Sequence, residues 1–542
     1  MSSAPDPAAR ARAELAARER LVASLLRELD PPVTREGDVL RVTLPAGTLA
    51  VELRCPSPTG HHRLTGGATL DDGSGPRAAT HDEVVAAVLG AVGGPEPVAR
   101  RASLVADSVA RTARYLAHGE HAPARASTDP TREAEQSLRY GHPFHPTPKS
   151  AEGLGDDDLG AWAPELGTEF VLHHLAVAPD VVLEGGEPGA PPPAVAAHVP
   201  DGWTALPVHP YQARVLARDP TLALLAAEDA VRWLGPLGDP VWPTSSVRTV
   251  VDASGVQWKL PLRARLTHFV RTTPPEQARR AIDAAAVVAG LGPLPDGFGV
   301  LADVGFRTVD PAVGGERLAA DLTVITREPF PPGGARVLAA VLEDGPGGEE
   351  PPLVTQVRAA GDVHAWLRRW LAVSLVPLLH LYGAAGIGFE AHPQNTLVIT
   401  DAAGWPTACR VRDLEGAHVR ADHLPPGVDP ASPLVYRPEE AWRRLRYHAV
   451  VNHLALLVAV LGRHTVGEDA LWATVAAVLA RTVDDDPAAA PWAADLLTSP
   501  TLPAKAHLRS WAAGRGEDPL YVAVRNPIAA AATSGRRGRM RA

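Results

Sequence analysis

Between Trp370 and Phe389 the chain runs without a single charged side chain, and what that run becomes decides whether the protein is built for a bilayer or for water. Its length reaches that of a membrane span. Its composition does not fit one: Gly383, Gly386 and Gly388 interrupt the second half, His380 sits mid-run and Glu390 follows at once. The run reads as a buried core helix giving way to a loop, and no membrane association is expected. The chain around it has 542 residues, 45% of them hydrophobic. That is more than one compact core holds, so two or three domains are expected.

A net charge of −10 with no long basic run argues against a nucleic-acid partner. Cys55 and Cys409 are the only cysteines. They form neither a CxxC pair nor a disulfide framework, which suits a reducing cytoplasm. The N-terminus is charged where a secretory signal has its apolar stretch.

Nearly all basic residues are arginine. Only Lys149, Lys259 and Lys505 are lysine, and only Asn395, Asn452 and Asn526 are asparagine. An Ala/Arg/Pro/Gly-heavy composition implies a GC-rich genome, in which Arg replaces Lys wherever either serves. A surviving Lys marks a place where a compact ammonium is needed and a planar guanidinium does not fit.

Leu21, Leu25, Leu26 and Leu29 share helical spacing in an N-terminal arm. The stretches VLRVTL and LAVELR alternate as an antiparallel pair, and 83–94 and 101–118 read as helices. Short strand-like runs dominate from about 200 to 330. From about 362 the pattern is mainly helical, broken by a strand pair around NTLVITD and TACRVRD. The Arg-rich end, SGRRGRMRA, reads as disordered.

Four segments carry chemistry. In GHPFHPTPKSAEG, prolines stiffen a loop around His142, His145 and Lys149. A metal site there lacks a third and fourth ligand, so the readings are anion binding by His145 and Lys149 or a structural loop. LPVHPYQ offers His209 and Gln212, as core, hinge or site. TSSVRT and WKLPLRARLTHFVR bring Ser245, Ser246, Arg248, Thr249, Lys259, Arg263, Arg265, Thr267, His268 and Arg271. By strand parity Lys259 points with Pro261 and Arg263, while Arg265, Thr267 and Phe269 share another run. So many cations and hydroxyls in an acidic protein suit a nucleotide triphosphate or a polycarboxylate; a solvated basic face is the alternative. GFEAHPQN and CRVRDLEG supply Glu390, His392, Gln394, Asn395 and Asp413, a set able to hold Mg²⁺ against phosphates. No lysine follows a glycine as in a P-loop, and HExxH and GxSxG are absent.

Six segments, GHPFHPTPKSAEG, LPVHPYQ, TSSVRT, KLPLRARLTHFVR, GFEAHPQN and RDLEG, resemble the IucA/IucC family of siderophore synthetases that work without a nonribosomal peptide synthetase, in the family's order and spacing. LPAKAHLRSW and VRNPI resemble its last patches. Where the family often shows an Arg after Lys-Ser, Ala151 stands here.

The resemblance implies an α+β, multidomain cupped hand: a thumb over 1–138, fingers with an antiparallel, nucleotide-binding sheet over 139–355, a helical palm over 356–530 and a disordered tail over 531–542. It implies a ligase that uses ATP and Mg²⁺ to adenylate a carboxylate of citrate or a citrate derivative. An amine or alcohol then gives an amide or ester, with AMP and pyrophosphate released. His145, Lys149, Ser246, Arg248, Lys259, Gln394 and Asp413 would contact the nucleotide. Thr267, Arg271 and His392 would grip the acyl donor and, with Lys259, serve catalysis, joined in substrate binding by Arg327 and Lys505. Glu390, Asn395 and Asp413 would hold Mg²⁺. A cytoplasmic homodimer is the family expectation. Two other classes stay open: a phosphotransferase with a kinase-like Asn395/Asp413 metal site, and a ferric-siderophore binding or reducing protein, which would want a cysteine cluster near its C-terminus.

Overall fold

The computed structural model describes residues 6–121, 129–267, 269–516 and 518–539; His268 and residues 540–542, in the expected disordered tail, lie outside them. The N-terminal arm is the helix Pro7–Leu29, started by Asp6, whose side chain accepts the Ala8 N–H at 3.0 Å, and by Pro7 at its first position. Thr80 and Glu83 form a capping box at the head of His81–Val92. These helices and Val98–His121 pack on an antiparallel sheet of five strands in sequence order from Val33–Glu36 to Arg77–Ala78. Leu21, Leu25, Leu49, Leu89 and Leu116 fill the space between. Leu508 joins the same core from the far end of the chain, where Glu28 accepts the N–H groups of Leu508 (3.1 Å) and Arg509 (2.8 Å).

A second sheet has six antiparallel strands: Trp242–Pro243, Thr249–Val251, Gln257–Lys259, Val324–Arg327, Asp303–Val309 and Val182–Gly186, in that spatial order. The strand Phe298–Val300 does not join it. It pairs in parallel with Pro406–Val411, next to Thr396–Thr400, and so ties the middle of the chain to the C-terminal half.

The uncharged run is core, as its composition implies. It spans two helices, the end of Val363–Val373 and all of Leu375–Ala384, and then a short strand, Ile387–Gly388. The break falls at Ser374 because Pro377 has no N–H to donate to the Val373 carbonyl. Trp366, Trp370, Tyr382 and Phe389 centre the largest core of the molecule. Among the described residues one helical stretch is long and apolar enough to cross a membrane, Pro438–His464, and 83% of its apolar window is buried. Within it Arg446–Leu454 is a π-helix, which widens the turn that presents His448, Asn452 and His453.

The expected disorder from residue 531 is corrected as far as Arg539: Pro527–Arg539 is helical. Asn526 starts the helix by accepting the Ile528 N–H at 3.0 Å, and its amide donates to the carbonyls of Leu496 and Ser499, both at 2.8 Å. Ile528 is fully buried, and the alanines that follow favour a helix. The parity reading of 259–271 also fails beyond Lys259. Pro261 ends one strand, and Leu262–Leu266 opens another that pairs with Phe269–Arg271 in a separate sheet.

Burial holds several histidines neutral. It pushes His142, His209, His418 and His448 down to about 3, and His392 and His453 down to about 4. In the unfolded chain they titrate near 6.5. As pH falls from about 6.5 to about 4, the unfolded chain therefore takes up protons that the folded chain refuses, and stability drops. Glu28, pushed up to about 7 by burial, acts in the opposite sense, as do Glu343 and Glu468, which burial also raises, but the six histidines outnumber these three. The urea midpoint is expected to be clearly lower at pH 5 than at pH 7.5; an equal or higher midpoint at pH 5 would contradict the neutral assignment.

Candidate active site

A cavity of about 930 Å³ lies where the N-terminal layer, the six-stranded sheet and the helical half meet. The sheet supplies its first cations. Lys259 pairs with Ile325 across the strands and Gln257 with Arg327, so Lys259 and Arg327 sit two residues apart on one face. Arg248, just before the neighbouring strand, is tied down where its carbonyl accepts the Leu260 N–H at 2.8 Å. Its guanidinium donates to the Arg271 carbonyl (3.1 Å) and to the Thr273 hydroxyl (3.0 Å).

The turn 412–415 meets these groups. Arg412 forms a buried bidentate pair with Glu135, at 2.6 and 3.2 Å. Asp413 takes the left-handed backbone conformation, with φ 64°. One of its oxygens accepts from Lys259 at 3.0 Å and from Arg327. Arg327 also holds Asp303 at 2.8 Å, and Asp303 accepts the Leu414 N–H at 3.2 Å. Glu415 reaches the same Lys259 ammonium at 2.9 Å. Burial would raise the Asp413 carboxyl, but Arg327 and Lys259 outweigh it and hold the group well below the usual carboxylate range.

Glu390 lies on a different wall. Its carboxylate pairs with Arg444 at 2.7 Å and faces His448 at 3.1 Å. The Asn395 amide donates to the Glu390 carbonyl at 3.3 Å. The expected trio of Glu390, Asn395 and Asp413 is thus divided between two sets of partners. Among the described residues no three His, Cys, Asp or Glu side chains are grouped to hold a metal. The carboxylates brought together are Asp413 and Glu415, bridged by Lys259, and one Glu415 oxygen is buried with no hydrogen-bond partner.

Among the described residues, six cations of the cavity lining have no carboxylate within 4.0 Å: Arg20, Arg248, Arg271, Arg280, Arg463 and Lys505. Arg20, Arg280 and Arg463 each donate to a backbone carbonyl. Burial first, and then the charge of Arg248, pushes Arg271 down to about 10. Burial likewise lowers Lys505, against the opposing pull of Glu390. Arg271 donates to the Thr267 hydroxyl at 3.3 Å. Thr267 has φ 62°, and a β-branched residue held there costs about 1–3 kcal/mol. Four described non-glycine residues have positive φ, and two of them, Thr267 and Asp413, are in this site.

All fourteen residues expected from the sequence line this cavity. Lys149 has less to offer than expected: Glu165 and the Leu138 carbonyl, each at 2.6 Å, occupy its ammonium. His145 accepts the Thr147 N–H at 3.1 Å, and the Gln394 amide donates to the Ser245 carbonyl at 3.4 Å. Ser246 lies beside Arg248 on the lining. Burial pushes His392 down to about 4, although Glu390 pulls it up. Other segments turn away. Arg263 pairs with Asp321, and Arg265 faces Glu152. His209 caps a helix by accepting the Tyr211 N–H, and Gln212 bonds the Asp321 carbonyl. Sequence reasoning missed Glu135, Asp303, Glu415, Arg444 and His448. Of these only Glu415 carried a signal, since it stands two residues after Asp413 in RDLEG.

The pair Glu135–Arg412 closes the back of the site almost without solvent. Glu135→Ala would leave Arg412 buried and uncompensated, at a cost of about 3–5 kcal/mol. Urea unfolding should register that loss, and the double variant Glu135→Ala/Arg412→Met should recover much of it. A single variant as stable as the parent would show that the pair does not hold the turn.

The sequence matches the IucA / IucC family over residues 130–343 and the ferric iron reductase FhuF-like transporter family over 364–517. It is 35% identical to the L-2,3-diaminopropanoate–citrate ligase of Staphylococcus aureus, over 95% of this chain and 96% of that protein. It is 30% identical to the rhizobactin siderophore biosynthesis protein RhbC of Rhizobium meliloti, over 89% and 91%. The fold matches ATP-bound aerobactin synthetase IucA from Klebsiella pneumoniae with a TM-score of 0.84, at 23% identity, over 95% of this chain and 99% of that one. With a relative 35% identical along nearly its whole length, the chain belongs to the IucA/IucC family and is a ligase of siderophore biosynthesis.

Proposed function

We propose that this ligase uses Mg·ATP to convert a carboxylate of citrate, or of a citrate derivative, into an acyl-adenylate and then passes the acyl group to an amine. The observation that carries the reading is the trio Arg248, Arg271 and Lys505: one buried and two half-buried cations, among those unmatched by carboxylates on one cavity. Leaving them unmatched is costly in an empty site. Two polyanions bound side by side remove that cost, and the cations in turn offset the repulsion between the anions. A carboxylate oxygen attacks the α-phosphorus and pyrophosphate leaves; the amine nitrogen then attacks the acyl carbon and AMP leaves.

Arg248, Lys259, Ser246, His145 and Gln394 are assigned to the nucleotide, with the one free donor of Lys149. Thr267, Arg271, His392 and Lys505 are assigned to the donor's carboxylates. Arg327 positions Asp413. Asp413 and Glu415, not Glu390, would hold Mg²⁺, which supplies charge neutralisation at the phosphates when bound; the unpartnered Glu415 oxygen fits that use. The donor and acceptor follow the named relatives, a diaminopropanoate–citrate ligase among them. A cytoplasmic homodimer shaped as thumb, fingers and palm belongs to the same proposal. A ferric-reductase role has little to stand on: Cys409 is the only cysteine within 364–517, it is buried, and burial pushes its thiol up to about 12.

The test is pyrophosphate release from Mg·ATP with citrate, succinate or α-ketoglutarate, and hydroxylamine as surrogate nucleophile. Citrate-dependent pyrophosphate with a hydroxamate product is expected. Arg271→Ala, which strands no carboxylate, should lower kcat/KM by about 10²–10³ with an unchanged near-UV circular dichroism spectrum. ADP in place of AMP would replace the ligase reading with a phosphotransferase.

A further inference from the structure

One wall of the cavity carries charge that neither the nucleotide nor the acyl donor uses. The helix Pro438–Leu445 places Arg444 on Glu390. The next side chain back, Arg443, turns the other way and lies over the Tyr521 ring, 4.5 Å from its centroid. Glu440, one turn earlier, is 3.7 Å from Arg443 and 3.9 Å from Arg437, beyond hydrogen-bond reach of either. Among the described residues the Arg443 guanidinium makes no hydrogen bond, and its Nε is buried without a partner. Both residues line the cavity. The wall therefore presents one cation and one anion, side by side, each with unused hydrogen-bonding capacity.

Tyr521 connects this wall to the acyl-donor end. It stands opposite Lys505 in the strand pair Thr501–Lys505 and Tyr521–Arg525. Tyr447 packs against both, 6.0 Å from the Tyr521 ring and 5.2 Å from the Lys505 ammonium. A molecule held by Arg443 and Glu440 thus sits beside the cation assigned to the donor.

We infer that Arg443 and Glu440 are the head-group subsite for the acceptor and that this pair selects an α-amino acid with a second amine in its side chain, the class of acceptor named for the diaminopropanoate–citrate ligase relative. This rests on the ligase reading above. The guanidinium takes the α-carboxylate, for which its planar fork is suited, and Glu440 takes the α-ammonium. The α-amine is then held charged and is no nucleophile. The side-chain amine forms the N–C bond as the acyl C–O bond to AMP breaks; AMP leaves with the electron pair and the amine's proton passes to solvent. A simple diamine or polyamine matches Glu440 but leaves Arg443 without a partner.

The experiment compares acceptors with the full-length enzyme, Mg·ATP and citrate: 2,3-diaminopropanoate against ethylenediamine, which lacks the carboxylate. The readout is the ratio of the two kcat/KM values, which a general folding defect does not move. The parent should favour diaminopropanoate by at least about tenfold, through KM, and join it through the 3-amino group by NMR of the product. Arg443→Ala should bring the ratio close to one, Arg443→Lys should restore part of it, and Glu440→Gln should lower it. A parent that favours ethylenediamine, a ratio unmoved in Arg443→Ala, or linkage through the 2-amino group overturns the inference while hydroxamate formation from hydroxylamine leaves the ligase reading in place. Absence of citrate-dependent hydroxamate overturns the ligase reading and the inference with it.

Discussion

Four consecutive residues, Arg412 to Glu415, hold the site together. Each contacts a different partner or joins two: Arg412 binds Glu135, Asp413 binds Lys259 and Arg327, the Leu414 N–H binds Asp303, and Glu415 returns to Lys259. The turn is thereby fastened to an N-terminal helix and to three strands of the six-stranded sheet. Most of these charges are buried, so each needs its partner in place. The left-handed backbone at Asp413 is tolerated because those partners over-determine it. Packing of the apolar cores brings the bodies together, but this ionic seam fixes their relative position at the chemistry.

Beside the seam, the same cavity keeps charges unmatched. A protein selected for stability alone would pair Arg271 and Lys505 or replace them by apolar groups. Their retention, with a strained Thr267 hydrogen-bonded to Arg271, fits a surface arranged for anions that arrive from solution. The nearby histidines stay neutral in this setting, because burial disfavours another positive charge.

Rarity was the most informative signal in the sequence. In a chain that uses arginine nearly everywhere, all three lysines line the cavity, as do Asn395 and Asn452, while Asn526 caps the last helix. Composition and periodicity also identified the N-terminal helix, the core nature of the uncharged run and the strand pair around 396–411. Ion-pair partners were another matter. Glu135 sits in a short polar helix and is indistinguishable from a surface acid until Arg412, 277 residues away, reaches it. The metal expectation grouped Glu390 with Asn395 and Asp413 from the family's motif, and the fold pairs Glu390 with Arg444 and puts Glu415 beside Asp413, contacts that motif spacing does not reveal. The strand-parity reading failed at one proline, since parity holds only while a strand continues.

The insertion of Leu508 into the first core has a consequence for how the chain is made. Glu28 emerges from the ribosome 480 residues before the backbone it will bind, an interval of roughly half a minute or longer at ordinary translation rates. Throughout that time the N-terminal layer has its helices and sheet but lacks the leucine that completes their packing, and a carboxylate destined for burial faces water. This earlier-made layer thus waits for a segment made 480 residues later, and its nascent form depends on whatever shields an incomplete apolar surface until that segment arrives.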